Sequence, residues 1–437
     1  MDATALQQRL DALTYVPNHC YEFLSMQGKN KVSAERFAYI VGHLKGLVEG
    51  REVLDVGCNK GFVSLWCAEN GARRVVAEDI RQEYTELVGD LAQCKGLGNV
   101  TVTVKPLWKL GEVHEVEGVP VTKEGDLALV LGVAHHLTLD HGLDWLWRLY
   151  YLGYDVLMEF PCVGSDQTVE FLRGKVPEAK RQLLREDLLR EKVEGLYDVE
   201  LVGRSPDLGR SLYHLRKGEL PTSSVGHVRE GSLVAKGRKT EVYLVGADGA
   251  AVLKGWHGRQ RDAKGYALRW VRAQQILAKQ FPNVVARVRG LVVGEAGVVE
   301  GLVEDYKGGQ GFEQIGARAL FDAQLFLLSL NLIALDFHLS SVFGGSVLDH
   351  ELIEVRTRGT EEFFRRKVSR TWEQTNLDGI RVGGYDDGPA MLRVNEQAAR
   401  EFRSLVASGA ALEGVLRQAR GFQWFRQEQR AGVRQGG

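Results

Sequence analysis

The sequence predicts an α/β first half built on a parallel sheet, followed by an α+β second half in which a small sheet precedes a helical region. Three observations carry this. Residues 53–61, Val-Leu-Asp-Val-Gly-Cys-Asn-Lys-Gly, read as a buried strand that runs straight into a glycine-containing turn and then a helix. Apolar, strand-length runs then alternate with helix-length stretches as far as residue 217, the order of an α/β domain. Past the Gly-Glu-Leu-Pro-Thr-Ser-Ser passage at 218–224, short strands and turns come first and helices afterwards.

Each element of the first half follows from its residues. Gly57 can take backbone angles closed to other residues, and a helix over 62–70 would aim its unpaired N–H groups at an anion. Gly71 suits the end of that helix, and a strand over 74–80 carries Glu78 and Asp79 near its C-terminal end. An acid about 20 residues past such a turn is where an α/β nucleotide site holds a ribose diol. Helices are expected over 82–93 and 139–149. Strands are expected over 100–105, 126–132 and 155–160, and 197–203 with 211–216 form an antiparallel pair at the sheet edge.

In the second half, strands fall at 233–235, 241–245 and 251–254, a helix at 262–280, and a strand at 298–306. The most apolar stretch, 319–335, is interrupted by Asp322, Gln324 and Asn331, so it reads as a buried helix and not a membrane span. The boundary near 217–226 divides the chain into domains at 1–218 and 227–437.

Composition narrows the function classes. A chain of 437 residues with 44% hydrophobic and 26% charged residues and a formal net charge of −1 has no global attraction for nucleic acid or membranes. The N-terminus lacks the basic start and apolar run of a signal peptide. Five cysteines without close pairs argue against a disulfide framework or a zinc site and fit a reducing cytoplasm. Near the C-terminus, Arg417, Arg420, Arg426, Arg430 and Arg434 flank Phe422, Trp424 and Phe425. Such a segment either packs its aromatics as a terminal helix or lies on an anionic membrane or nucleic acid.

The spacing Asp-x-Gly-x-Asn-x-Gly at 55–61 resembles motif I of class I S-adenosylmethionine-dependent methyltransferases, with Asn59 where a glycine is usual. Asparagine visits the left-handed region more readily than most residues, so the departure is tolerable. The resemblance covers residues 35–217 and implies a Rossmann-like fold. It places Gly57, Asn59 and Gly61 at the cofactor and Asp55 under its methionine amine. It assigns Asp79, or Glu78 if the strand slips by one, to the ribose, and Leu107 in 106–108 to the adenine. His135 and His136 follow the fourth strand at the open edge, where a histidine near neutral pKa would take a proton from a hydroxyl acceptor; the other reading has them pack or cap the next helix. Glu159 ends the fifth strand there. The basic stretch 27–36 reads as a loop entering a helix, with Ser33 as cap and Lys29, Lys31 and Arg36 facing an anionic acceptor.

The second half resembles the protein-kinase-like fold, with Lys254 as the strand-3 lysine and a hinge around 304–308 that makes Glu304 a nucleotide contact. Asp336 stands at the catalytic-base position and Ser341 at that of a metal-binding asparagine. Glu354 fits the next metal ligand by spacing, with Asp349 less well placed, and Gln274 or Gln275 replaces the glutamate that pairs the lysine. ATP and Mg2+ are the ligands implied, since kinase catalysis is mainly positioning and charge neutralisation. A methyltransferase followed by a kinase-like domain resembles the chain-terminating kinase-methyltransferases of O-antigen synthesis. That likeness implies a small-molecule or glycan acceptor, phosphorylated before it is methylated. An RNA-modifying methyltransferase with an inactive kinase-like recognition domain is the alternative, and the two differ in the salt dependence of RNA binding.

Overall fold

The structure is a computed structural model. It describes residues 3–13, 21–22, 27–28, 31–105, 111–116, 119–163, 175–206, 209–224, 232–236, 240–245, 251–256, 266–294, 299–305, 314–335, 337, 342–343, 346–347, 353–378, 380–382, 390–394, 396–420 and 425–428. The chain divides into two compact units. One holds residues 1–112 and 123–218, the other 113–122 and 219–437. Segment 113–122, which the sequence reading placed inside the first domain, therefore belongs with the second.

The first unit runs α1 (Ala3–Ala12), α2 (Lys31–Leu44), β1 (Glu52–Val56), α3 (Phe62–Glu69), β2 (Arg74–Asp79), α4 (Gln82–Cys94) and β3 (Val100–Val104). It continues with β4 (Leu127–Val130), α5 (Ala134–His141), α6 (Asp144–Tyr151), β5 (Asp155–Phe160), α7 (Glu186–Val193), β6 (Tyr197–Arg204) and β7 (Ser211–Lys217). These seven strands form one sheet in the order β6-β7-β5-β4-β1-β2-β3. The five from β5 to β3 run parallel, whereas β7 is antiparallel to β5 and β6 to β7. β1 and β4 are buried along their whole length, the apolar signature of strands covered on both faces. α4 shows why a helix packs here: Tyr84, Leu87, Val88 and Leu91, at helical spacing, are its buried stripe. Leu6 and Leu10 of α1 join Phe37, Phe62, Leu65, Leu87 and Leu91 in one cluster, and Ile40 and Leu44 of α2 meet Val53, Leu129 and Leu157 of the sheet in another.

One long helix expected over 139–149 is two, α5 and α6, parted at Gly142 with φ 66°. A positive φ favours glycine and ends the helix there.

The second unit opens with β8 (Thr222–Ser224), β9 (Ser232–Lys236), β10 (Thr240–Val245), β11 (Ala251–Trp256), α8 (Tyr266–Gln280), β12 (Val288–Val293) and β13 (Val299–Asp305). Their sheet order is β8-β12-β13-β11-β10-β9. The five strands after β8 are mutually antiparallel with one helix inserted between β11 and β12, the arrangement expected of a kinase-like small lobe. Then come α9 (Gln314–Ser329), β14 (Leu332–Ala334), β15 (Ile353–Val355), α10 (Arg358–Asp378), α11 (Glu396–Ala407) and α12 (Leu412–Arg420). The helix expected over 319–335 stops at Ser329 and turns at Asn331, φ 55°, into β14. β14 pairs antiparallel with β15, and between them Val342–Phe343 pairs with Ser346–Val347.

Near the C-terminus, Phe425–Glu428 is a strand against Ala390–Val394, not the continuation of a helix. Of the aromatics expected on a terminal helix, Phe422 and Trp424 lie outside the described residues. Among the described residues no helix is long and apolar enough to cross a membrane.

Candidate functional site

In the first unit the strand order reverses at β1, and the C-terminal ends of β1 and β4 border the crevice where open α/β sheets take ligands. The chain leaves β1 through Gly57, Asn59 and Gly61, with φ of 72°, 51° and 75°. The Glu78 carbonyl accepts the N–H groups of Gly57 (2.8 Å) and Cys58 (2.9 Å), and Asp79 Oδ2 accepts that of Asn59 (3.0 Å). Asp79 Oδ1 accepts the Arg81 N–H at 3.0 Å, so the carboxylate is fixed against the turn. A Cβ added at Gly57 would lie 2.6 Å from Val133, and one at Gly61 2.4 Å from Val88. The glycines thus answer to packing as well as to a ligand's approach, a reason not visible in the motif. The first unit has the class I methyltransferase fold.

Asp55, at the end of β1, is buried and accepts the Ser64 hydroxyl at 2.5 Å. Burial, reinforced by the charge of Asp79, lifts its carboxyl to about 6 against the lowering effect of Ser64. Such a group ionises fully once a cation sits beside it. Glu78 is placed differently. Neighbouring residues of a strand point to opposite faces, and the Glu78 carboxyl is within the field of Lys105 and of Arg148 on α6. Burial pushes it up to about 7, and its Oε2 is buried with no hydrogen-bond partner among the described residues. Of the two acids weighed for the ribose, only Asp79 meets the turn. Ile80, the next residue, is 63% exposed, and Val104, ending the neighbouring β3, is 50% exposed. Two exposed apolar side chains thus flank Asp79 at the rim. Sequence reasoning passed over both, although an isoleucine directly after the acid was the signal. Leu107, expected at the adenine, lies outside the described residues.

A second group of side chains converges above β4 and β5. Glu159 of β5 is fully buried and takes both Arg36 guanidinium nitrogens, Nη1 to Oε1 at 2.9 Å and Nη2 to Oε2 at 2.5 Å. A Cβ at Gly132, just past β4, would lie 3.4 Å from Arg210 Nη1, 3.5 Å from Arg36 Nη2 and 3.8 Å from Glu159 Oε2. Arg210 precedes β7 and is itself buried. The Tyr39 hydroxyl, buried without a hydrogen-bond partner among the described residues, is pushed up to about 12 by burial and then by Glu159. Arg36, expected to face an anionic acceptor, is buried and paired with Glu159. Ser33 lies inside the first turn of α2, which begins at Lys31, so it is not the cap, and Lys29 lies outside the described residues.

His135 and His136 open α5 with ring centroids 4.0 Å apart. Burial, then the charges of His136 and Arg210, lower His135 to about 3. His136 is displaced the same way, first by its surroundings and then by Arg210, with Asp140 opposing. His135 therefore stays neutral and is too weak a base for the proton-accepting role expected of it.

In the second unit, Lys254 of β11 pairs with Val242 and Leu302 in register, but its side chain lies outside the described residues, as do Asp336 and Ser341. Gln274 of α8 is fully buried, its Nε2 donating to Glu304 Oε2 (2.7 Å) and the Ala286 carbonyl (3.0 Å). Glu304 sits within β13 with no exposed surface, so it faces α8 and is not a hinge contact for a nucleotide. Glu354 is likewise corrected. It is a β15 residue paired with Ile333, fully buried, and its Oε2 accepts the Thr122 N–H at 2.5 Å. Burial raises its carboxyl, against the charge of Arg269. A carboxylate held this way is not open to a metal. Asp349, the other residue weighed for that position, lies outside the described residues. Gln324 accepts the Ala334 N–H at 3.2 Å and braces β14, the strand leading to Asp336.

No family model matches the chain. It is 35% identical over 97 residues to the O-antigen chain terminator bifunctional methyltransferase/kinase WbdD of Escherichia coli, covering 22% of this chain and 13% of that protein. It is 36% identical over 149 residues to the ribosomal protein arginine N-methyltransferase rmt3 of Schizosaccharomyces pombe, covering 31% of this chain and 26% of that one. The chain thus spans about an eighth to a quarter of the length of these curated relatives. Among solved structures, WbdD superposes over 95% of this chain and 93% of its own at 17% identity and a TM-score of 0.29. Magnesium protoporphyrin IX methyltransferase of Synechocystis PCC 6803 superposes over 49% of this chain and 84% of its own, at 19% identity and 0.32. At such scores these superpositions add nothing to the topology seen directly in the strand order.

Proposed function

We propose that the first unit transfers a methyl group from S-adenosylmethionine to an oxygen of a small-molecule or glycan acceptor that carries an anionic group. The second unit is a divergent kinase-like partner that binds ATP with Mg2+ and prepares or holds that acceptor. The observation that carries the reading is the lock between the 57–61 turn and Asp79 at the reversal of strand order. When bound, the cofactor supplies a methyl group on a positively charged sulfur. Asp55 would hold its ammonium and Asp79 its ribose diol, and Ile80 and Val104 would line its adenine.

The acceptor class rests on charge. Arg36 and Arg210 both bring guanidinium nitrogens to Gly132. Guanidinium groups recognise oxyanions through paired N–H donors, and an oxyanion acceptor has no proton to lose, so it needs no base. The local similarity to WbdD supports a saccharide carrier. The test is transfer of labelled methyl from S-adenosylmethionine to a sugar phosphate and to the same sugar without phosphate. Transfer to the phosphorylated sugar alone is expected, lost in Arg210→Ala while S-adenosylhomocysteine affinity stays within about twofold. Equal transfer to both sugars would refute the acceptor assignment.

A further inference from the structure

Segment 113–122 is encoded between β3 and β4 of the first unit, yet it packs in the second. It is a hairpin, Val113–Val116 paired antiparallel with Val119–Thr122. Its last residue, Thr122, is fully buried and holds β15 twice: its N–H donates to Glu354 Oε2 (2.5 Å), and its Oγ1 accepts the Val355 N–H (2.9 Å). Glu354 is also within the field of Arg269 on α8. One threonine thereby satisfies a backbone donor of β15 and a lone pair of a buried carboxylate, neither of which water can reach. The hairpin's stem is fixed in the first unit, where Arg74 reaches Glu112 (3.1 Å) and Lys123 reaches Glu52 (2.8 Å). β14 and β15 bracket the stretch 335–352, which carries Asp336, Ser341 and Asp349.

We propose that residues 113–122 are a cis-acting strap that keeps β15 and α8 of the second unit ordered for nucleotide binding, so that its competence depends on a segment encoded within the first. This rests on the kinase-like reading of the second unit. Two full-length variants test it: Thr122→Val, which keeps the shape and removes the acceptor, and a chain with 114–121 replaced by a Gly/Ser linker. Hydrogen exchange over 353–360 and 266–280 and calorimetric titration of ATP with Mg2+ are the readouts, with S-adenosylhomocysteine affinity reporting that the first unit is folded.

The strap predicts exchange at Val355 at least about tenfold faster, ATP affinity down by about tenfold or more in the linker variant, and S-adenosylhomocysteine affinity unchanged within about twofold. Unaltered exchange in both variants would overturn it, as would faster exchange with undiminished ATP affinity. Absence of ATP binding by the unaltered chain would overturn the nucleotide reading and with it the strap's role. That failure is distinguishable, because the exchange comparison needs no nucleotide.

Discussion

The buried acids of the two units stand in opposite situations. In the first unit Asp55 and Asp79 lie at strand ends facing the crevice, where their hydrogen bonds come from Asn59 of the turn, Ser64 of the helix after it and Arg81 just past β2. In the second, Glu304 and Glu354 are wholly buried, one holding Gln274 of α8 and the other Thr122 of the hairpin. A buried carboxylate is expensive unless satisfied, and how it is satisfied separates the two cases. Where the partners belong to a ligand-facing turn, the acid shapes a site; where they belong to another packed element, it joins parts of the fold. Position along the sequence cannot tell these apart, which is why Glu304 and Glu354 were read as ligand contacts.

That contrast can be broken most forcefully at the turn. Gly61→Ala adds a Cβ that would lie 2.4 Å from Val88 at a φ of 75°, combining overpacking with a left-handed alanine. A loss of about 3–5 kcal/mol is expected, read by denaturant unfolding of the full chain. Val88→Ala in the same chain should return part of it. If Gly61→Ala costs less than about 1 kcal/mol, the turn is not as tightly packed as described.

Next in size is Asp79→Ala, which removes the proposed ribose acid and the clamp on Asn59 and Arg81. S-adenosylhomocysteine affinity should fall about a hundredfold by calorimetry, while Glu354→Ala should leave it within about twofold. Equal losses in the two would erase the distinction between site acid and joining acid.

Glu78 gives a subtler separation, since it is buried in the first unit but on the far side of β2. Its carboxyl is raised to about 7, so between its unfolded value and pH 7 the folded chain holds a proton that the unfolded chain has released. Stability is therefore lost as pH rises through that window and stays lower above it. Glu78→Gln should raise stability by about 1–3 kcal/mol at pH 8 and by nothing measurable at pH 4. A gain independent of pH would place the effect elsewhere.

The smallest expected effect belongs to Asp55. With its carboxyl at about 6 in the ligand-free chain, a cationic cofactor must draw off that proton as the solution becomes acidic. Affinity for S-adenosylmethionine should drop about fivefold from pH 6 to pH 5, and Asp55→Asn should bind weakly with a flat profile.

Much of the first unit was legible because buried parallel strands write themselves as apolar runs, as at 53–56, 127–130 and 155–160, and because Asn59 and its flanking glycines mark a turn needing positive φ. What stayed hidden depended on partners far along the chain. Arg36 was expected to face an anionic acceptor, and its partner Glu159, 123 positions away, was out of sight. The fate of the two histidines was unreadable without Arg210 and the burial around them. Helix ends at Gly142 and Ser329 were missed because apolar residues continue past both, so periodicity alone ran the helices on. In the second unit Glu354 fitted a metal position by spacing, whereas it is buried in a strand pair with its carboxylate on Thr122, a partner 232 positions away.

The hairpin also sets a schedule for synthesis. Thr122 precedes Glu354 by 232 positions. At about 5–20 residues per second, the ribosome delivers the hairpin's docking edge about 12–46 s after the hairpin itself. Once residue 218 has been added the first unit is complete, and 113–122 still waits for β15. An open edge of that kind invites pairing with the same edge on a neighbouring nascent chain. Slowing translation downstream of the hairpin should therefore increase aggregation of the full-length product.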